Sequence, residues 1–207
     1  MPRVSIFLLP LLIACVDDVG AGKVTAELVS AKPAAAAEVS GRSVAIDPAR
    51  SSIAALGAKV TATHPIAFDR WEGSLQLDGA ALTGLAVTVH MDSLRADQPK
   101  LTGHLQSADF FDVARFPHAT FRSSSVVAKA GADGATHEVT GELSMHGVSK
   151  QVRFPARVTA ADQRVELHTE FAIDRQDFGI AYPGRPDDLI QDAVVLTVTL
   201  ASEPDRA

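Results

Sequence analysis

From residue 44 onward, apolar side chains alternate with polar or small ones at every second position, which is the period of a β-strand buried on one face. In one such run Leu75 and Leu77 fall on one parity, whereas Gln76 and Asp78 fall on the other. The pattern predicts eight strands, which span residues 54–62, 71–78, 85–92, 119–128, 138–145, 148–158, 165–173 and 194–200.

Eight antiparallel strands that are apolar on one face close most economically as an up-and-down barrel, because closure removes the two unpaired edges of an open sheet. A two-sheet sandwich has a similar alternation and is the alternative. Residues 99–113 interrupt the pattern: Pro99 suits the first turn of a helix, and Leu101, Leu105 and Ala108 share one helical stripe. We therefore expect an all-β barrel with a short helical insert between strands three and four, covering one end.

Several of the residues on the strand faces expected to point into this barrel are small. An eight-stranded barrel either fills itself with side chains or holds one small ligand, and missing side-chain volume favours a ligand because protein interiors keep few empty voids. The alternative is that Trp71, Phe154 and Phe171 cross the lumen and fill it. The small residues expected to face the lumen are Ala54, Ala58, Ala62, Gly73, Gly141 and Ala156.

Two cationic residues, Lys150 and Arg175, share the inward parity of their strands and lie near strand ends. One interpretation is that they face a polar or anionic ligand headgroup at the mouth of the barrel. The other is that they reach water or pair with a nearby carboxylate, such as that of Asp174 or Asp177.

The composition is typical of a globular protein: of 207 residues, 46% are hydrophobic and 21% are charged. A single cysteine excludes a disulfide framework and a zinc site built on cysteine pairs. The formal net charge is −6 and the sequence contains no run of lysine and arginine. Nucleic acid is therefore not an expected partner, because its binding requires a basic surface.

The first fifteen residues have the features of an export signal that ends in a lipoprotein cleavage motif. Arg3 precedes an apolar run at 4–13 that is too short to span a bilayer. The one cysteine, Cys15, follows Leu12–Ile13–Ala14 as in the bacterial lipobox, so we expect acylation of Cys15 and a membrane anchor; an ordinary secretory signal is the alternative. The expected division is a signal peptide (1–14), a flexible tether (15–42), a barrel domain (43–202) and a tail (203–207), with the domain located outside the cytoplasm.

The sequence contains no pattern typical of catalysis or metal binding. His137 and His146 fall on opposite faces of one predicted strand, and neither a His-Glu-x-x-His motif nor a Gly-x-Ser-x-Gly turn occurs. We therefore predict a protein that is not an enzyme and needs no cofactor or metal. The alternatives are a hydrolase on the same barrel, and a filled barrel that binds other proteins. Ala193 and Val195, on the outward parity of strand eight, hint at an apolar patch for a homodimer contact.

Several segments together resemble the YceI-like family, from about residue 44 to residue 201. Ile46–Asp47–Pro48 with Ser51 resembles the opening of that domain, although Val44 and Arg50 replace the aromatic residue and the histidine of the family, and residues 64–70 also differ. The strongest match is His-Leu-Gln-Ser-Ala-Asp-Phe-Phe-Asp at 104–112. The other matching segments are 116–121, 141–150, 175–180 and 189–192.

The resemblance implies a lipocalin-like, eight-stranded barrel that holds a polyisoprenoid, or another long-chain or fatty amphiphile, in its lumen. It also implies export to the periplasm, no established catalytic residues and, in several members, a dimer. The residues expected to line the lumen are Leu56, Val60, Trp71, Leu75, Val87, Val89, Leu105, Phe110, Phe111, Phe121, Leu143, Phe154, Phe171 and Phe178. Those expected at the mouth are Lys150, Arg175 and Tyr182.

Overall fold

The computed structural model describes residues 18–29, 41–161 and 164–204. The predicted signal peptide and Cys15 lie outside the described residues. Within these ranges the chain forms one curled antiparallel sheet of twelve strands, a separate two-stranded hairpin and one α-helix. The prediction of an all-β fold with a single helical insert is confirmed, and the sheet has more strands than the eight predicted.

The strands differ widely in length, from two residues to fourteen. In chain order they are β1 (Glu27–Leu28), β2 (Arg42–Ala45), β3 (Ser52–Lys59), β4 (Ala62–Phe68), β5 (Trp71–Asp78), β6 (Ala81–His90), β7 (Leu94–Ala96), β8 (His118–Ala128), β9 (His137–Met145), β10 (Val148–Ala161), β11 (Arg164–Asp174), β12 (Gly184–Arg185), β13 (Asp188–Leu189) and β14 (Ala193–Ala201). Strands β12 and β13 form the separate hairpin, and helix α1 (Pro99–Gln106) lies between β7 and β8.

Along the sheet the strands lie in the order β2, β5, β6, β8, β9, β10, β11, β14, β3, β4, β7. The sheet curls until its β2 edge meets the end of β14: Ile46 bridges Ser202, and the Asp47 N–H donates to the Ala201 carbonyl at 2.8 Å. The guanidinium of Arg164 also joins the two ends, since it donates to the Asp47 carboxylate at 2.7 Å and to the Ser202 carbonyl at 3.3 Å. The molecule is therefore one barrel-like sheet and not the alternative two-sheet sandwich.

The adjacent predicted strands 138–145 and 148–158 are present as the hairpin of β9 and β10. Its turn is His146–Gly147, with φ angles of 51° and 75°, and two positive φ angles suit the twist of directly joined strands. Strand β8 contains a bulge, seen as a shift in its register with β9 between Ser123 and Ser125.

Helix α1 begins at Pro99 as predicted but ends at Gln106, seven residues before the predicted end at 113. The Ser107 hydroxyl and backbone N–H both donate to the His104 carbonyl, at 2.7 and 3.1 Å, and this turns the chain out of the helix. The buried residue of the helix is Leu105, which faces the barrel.

The predicted strand 54–62 was wrong, because it spans two strands. The chain turns at Val60–Thr61 between β3 and β4, which leaves Val60 41% exposed. Within β3 the inward parity is that of Ala55 and Gly57, not that of Leu56. From Ile53 to Ala58 both parities of β3 consist of small or apolar residues, so alternation alone does not distinguish its two faces.

Residues 18–29, hereafter the strap, cross the outside of the barrel and enter the sheet where β10 and β11 separate. Strands β10 and β11 pair only near their shared turn, and β1 of the strap pairs with β10 beyond that point. On the other side, the Ala26 N–H donates to the Ala172 carbonyl at 2.8 Å, and the Ala172 N–H donates to the Val24 carbonyl at 2.9 Å. The prediction of a flexible tether is therefore wrong for this segment.

The strap also covers the outer face on which the sequence suggested an apolar patch. Gly20 packs so closely that an added Cβ would lie 3.0 Å from the Cβ of Ala193. Val195 is 3% exposed. This face is buried by the chain itself, so the patch proposed for a homodimer contact is absent there.

Candidate ligand-binding cavity

A cavity of about 670 Å³ occupies the end of the barrel beneath α1. This volume lies within the range of about 300–1,000 Å³ that is typical of small-molecule sites. The wall consists mainly of apolar side chains from the inward faces of the strands, completed at the mouth by α1 and by the loop that contains β12 and β13.

Three phenylalanines form part of the wall inside the barrel. The rings of Phe121 and Phe154 have centroids 5.5 Å apart, and Phe154 stacks on Phe171. The wall continues past these rings to Leu85, Leu167 and Leu200. These leucines belong to a buried core cluster that also includes Leu75 and Val139, both 0% exposed. The two alternatives for the lumen are thus both realised: side chains fill the end near the β5–β6 turn, and the end near α1 is hollow.

The small residues that create the hollow differ from most of those predicted. Ala58 lines the cavity as expected, whereas a Cβ at Gly73 would lie 2.3 Å from the Ala86 carbonyl oxygen and one at Gly141 would lie 2.5 Å from the Phe121 ring. Neither of these glycines opens into the cavity. Gly57 does, since it lines the wall and an added Cβ would meet nothing within 4 Å. The other predicted small residues, Ala54, Ala62 and Ala156, are outside the wall.

Aromatic rings from two elements meet at the mouth. His104, in α1, has its ring centroid 5.1 Å from that of Phe110 and 5.0 Å from that of Tyr182. Leu101 and Leu105, on the same helix, also line the cavity. The helix therefore covers part of the opening, as its position in the sequence predicted.

Arg175 lies in the cavity wall, but its guanidinium is committed to the protein. The side chain is 5% exposed and donates to the carbonyls of Gln191 at 3.1 Å and Ile180 at 2.6 Å. It also donates to the Asp192 carboxylate at 2.8 Å. Arg175 thus holds both ends of the mouth loop, which is the segment 180–192 that contains β12 and β13. The carboxylate partner of Arg175 is Asp192, in place of the expected Asp174 or Asp177.

A second ion pair closes the mouth loop against β3. The Lys59 ammonium bonds to the Asp188 carboxylate, which also accepts from the Thr61 hydroxyl at 2.9 Å. The Lys59 hydrogen bond, with a smaller contribution from Thr61, holds the pKa of Asp188 below its usual range. This carboxylate is consequently ionised at neutral pH and fixes the β12–β13 hairpin beside the opening.

Across residues 18–29, 41–161 and 164–204, no group of three or more His, Cys, Asp and Glu side chains is placed to hold a metal ion. No helix in those same ranges has the length and hydropathy needed to cross a bilayer.

A profile of the YceI-like domain matches residues 45–202, which is almost the whole barrel. The chain belongs to the YceI-like family. Curated relatives include a UPF0312 protein of Pseudomonas fluorescens, 33% identical over 125 residues, and one of Vibrio cholerae, 30% identical over the same length. Each alignment covers 56% of this chain; it covers 64% of the Pseudomonas protein and 65% of the Vibrio protein, so the match spans less than two thirds of either relative.

Solved structures share the YceI-like fold. BcnA of Burkholderia cenocepacia superposes with a TM-score of 0.66 at 22% identity, over 76% of this chain and 99% of that protein. A domain from Saccharophagus degradans, described as polyisoprenoid-binding and implicated in plant cell wall breakdown, superposes with a TM-score of 0.61 at 16% identity, over 78% and 98% of the two chains. At these identities the similarity establishes the fold.

The YceI-like barrel brings most of the predicted site residues into one wall. The predicted residues that line the cavity are Val87, Val89, Leu105, Phe110, Phe111, Phe121, Leu143, Phe154, Phe171, Arg175 and Tyr182. Their contact with a ligand stays a prediction. The predicted residues that are outside the wall are Leu56, Val60, Trp71, Leu75, Phe178 and Lys150.

The residues outside the wall have distinct physical reasons for their positions. Leu75 and Phe178 are 0% exposed and belong to the core that fills the lower barrel, and Trp71 packs against that same core. Lys150 pairs in register with Leu143, which lines the cavity, but it is near the start of β10 and is outside the wall. The sequence analysis missed Lys100 and Arg185, which do lie at the opening. Lys100 precedes the helical stripe of Leu101, Leu105 and Ala108 and is not part of it, and no periodic signal marks Arg185.

Proposed function

We propose that this protein binds a long-chain amphiphile in its cavity, with a polyisoprenoid as the first candidate, and carries or sequesters it without chemical change. The observation that supports this is the apolar hollow of about 670 Å³, open beside α1 and lined by apolar side chains that include the stacked Phe154 and Phe171. An apolar tail in such a space is stabilised by about 0.8 kcal/mol for each CH₂ group removed from water. The polyisoprenoid-binding description of the Saccharophagus domain, which shares the fold, supports the choice of tail.

Gly57 offers a direct test of the proposal. Leucine at this position would extend into open space inside the wall, so Gly57→Leu should fill part of the hollow without displacing neighbours. The matched control is Gly103→Leu, on the exposed side of α1, where an added Cβ also meets nothing within 4 Å. Native mass spectrometry of the purified full chain should detect a co-purified, solvent-extractable amphiphile.

We expect Gly57→Leu to reduce the ligand-bound fraction at least tenfold while the melting temperature stays near that of the parent protein. Gly103→Leu should retain the ligand. Unchanged ligand recovery from a folded Gly57→Leu protein would contradict binding in this cavity. Recovery of a hydrolysed product in place of the intact amphiphile would favour the hydrolase alternative.

We further propose that the protein is a periplasmic lipoprotein anchored through Cys15. The strap supports a close approach of the cavity to the membrane: the Val19 N–H donates to the Gln191 side-chain carbonyl at 2.9 Å, and Gln191 lines the mouth. Four residues of fully extended chain span at most about 14 Å. An acylated Cys15 would therefore lie within that distance of Val19, much closer than the roughly 30 Å expected of a long flexible tether.

Fractionation of bacterial cells that express the full chain tests the anchor. The wild-type protein should sediment with membranes and incorporate labelled fatty acid, whereas Cys15→Ala should do neither. A Cys15→Ala protein that still sediments with membranes would contradict anchoring by acylation. An unlabelled wild-type protein in the soluble periplasmic extract would support the ordinary secretory signal.

A further inference from the structure

The charged side chains in the cavity wall are predominantly cationic, although the chain as a whole has a net charge of −6. Apart from histidines, they are Lys59, Lys100, Arg175 and Arg185, against the single carboxylate of Asp188. The cavity therefore has the opposite sign of charge from the protein that contains it.

Two of these four cations are neutralised within the protein. Lys59 pairs with Asp188, and Arg175 pairs with Asp192. Lys100 and Arg185 form no ion pair with any residue in the described ranges, and both are exposed at the opening. Two positive charges thus remain available to a molecule that occupies the cavity.

Lys100 and Arg185 approach the opening from different elements. Lys100 is in the first turn of α1, which covers one side of the mouth, and Arg185 is in β12, in the loop on which Tyr182 packs against His104. Arg175 and the Lys59–Asp188 pair fix that loop. The two free cations are consequently held beside the exit of an apolar hollow, where the polar end of an inserted amphiphile emerges.

We propose that the ligand is an anionic amphiphile, with its tail in the cavity and a phosphate or carboxylate headgroup between Lys100 and Arg185. This inference rests on the proposed lipid-binding function and specifies its headgroup. A neutral alcohol or quinone headgroup leaves both cations unmatched, whereas a phosphate or carboxylate accepts charged hydrogen bonds from both. Since the site is exposed, each contact should change affinity by about two- to fivefold, and salt should weaken it.

The headgroup is tested on the full chain with two pairs of ligands. The members of each pair have the same tail and differ in the headgroup. Farnesyl phosphate is compared with farnesol, and palmitate with hexadecanol, by isothermal titration calorimetry at 50 and 300 mM NaCl. The test variant is Lys100→Glu/Arg185→Glu. The control is Arg115→Glu/Arg122→Glu, which makes the same change in net charge at exposed residues outside the cavity wall.

We expect the wild-type protein to bind at least one anion about tenfold more tightly than its matched alcohol, with a smaller preference at 300 mM NaCl. Charge reversal at Lys100 and Arg185 should abolish this preference, whereas the control variant should keep it. A preference confined to farnesyl phosphate assigns the site to phosphates, and one confined to palmitate assigns it to carboxylates; both support the proposal.

Equal affinity for anions and alcohols would overturn the headgroup assignment while leaving lipid binding intact. Equal losses in both double variants would also overturn it, because net charge and not the mouth would then explain the preference. Failure of all four ligands to bind would contradict the proposed lipid-binding function itself.

Discussion

The rings of Phe154 and Phe171 stack face to face inside the barrel, with centroids 4.2 Å apart and planes inclined by 8°. The two residues come from β10 and β11, and lie where these strands begin to separate around the strap. Both rings are at most 5% exposed, and both contribute to the cavity wall. The stacked pair therefore lies within the cavity wall, which continues past it to the buried core residues Leu167 and Leu200.

Removal of one ring from this pair should weaken the fold and deepen the cavity. Phe154→Ala is expected to lower the free energy of unfolding by about 3–5 kcal/mol, as is usual when a buried phenylalanine is truncated. Urea denaturation monitored by circular dichroism measures this change. Val127→Ala, at a side chain that is 53% exposed, should alter stability by less than about 0.5 kcal/mol. Equal stabilities for the two variants would show that the pair has no structural role.

Gly141→Leu should behave differently from Gly57→Leu. A Cβ at Gly141 would lie 2.5 Å from the Arg122 carbonyl oxygen and 2.8 Å from the Ser123 Cα, and a backbone cannot move away as a flexible side chain can. We expect Gly141→Leu to cost at least about 1–3 kcal/mol of folding free energy, the usual range for overpacking. The denaturation midpoint of Gly57→Leu should stay near that of the parent protein. A stable Gly141→Leu domain that has lost its ligand would contradict this expectation. It would show that Gly141 opens into the cavity, as its inward position in the strand predicted.

The strap should contribute to the stability of the barrel. Ala26→Pro removes the N–H that donates to the Ala172 carbonyl and leaves that carbonyl unpaired at a buried position. We expect a loss of about 1–3 kcal/mol, the cost of an unsatisfied buried backbone group. The control is Glu27→Ala, which removes only the exposed pair with Arg153 and should cost less than about 1 kcal/mol. Hydrogen exchange at Ala172 should accelerate in the proline variant alone.

Acidification should release the mouth loop, because protonation of Asp188 breaks its ion pair with Lys59. The hydrogen bond from Lys59 lowers the folded-state pKa of this carboxyl, so the ion pair favours the closed loop at every pH above the unfolded-state value of about 3.9. The stabilisation is lost as pH falls through the lowered folded-state pKa. Ligand dissociation, followed by stopped flow, should be nearly constant between about pH 7 and 5 and accelerate below about pH 4.

Asp188→Asn is the control for this pH dependence. It removes the charge but keeps the size of the side chain, so dissociation should be fast at neutral pH and change little on acidification. If the asparagine variant shows the same acid-dependent acceleration as the parent protein, carboxylates other than Asp188 control the opening.

Much of the sheet could be predicted from sequence because its strands alternate cleanly. In β9 and β10, Val139, Val152 and Phe154 are buried and Glu142 is exposed, as the period of two requires. The same reasoning failed in β3, where Ala54, Ala55, Leu56 and Gly57 give neither parity a polar signature. Alternation identifies a face only where the two parities differ chemically.

The cavity itself could be predicted only in part, because its volume depends on contacts between residues far apart in sequence. Parity correctly predicted that Gly73 and Gly141 point inward. It contained no information that a Cβ at Gly73 would lie 2.9 Å from the Cδ1 of Ile46, or that one at Gly141 would meet the Phe121 ring. The mouth loop has no regular period, and so Arg185 had no sequence signal.

The packed lower barrel has a consequence for the order of exchange. A ligand that enters beside α1 would meet the buried core that fills the other end of the barrel, so it would depart through the opening by which it arrived. The partner that supplies the ligand and the partner that receives it would then contact the same rim in succession, and they would compete for that rim. Transfer kinetics of this kind follow a substituted, ping-pong order, in which excess acceptor slows loading.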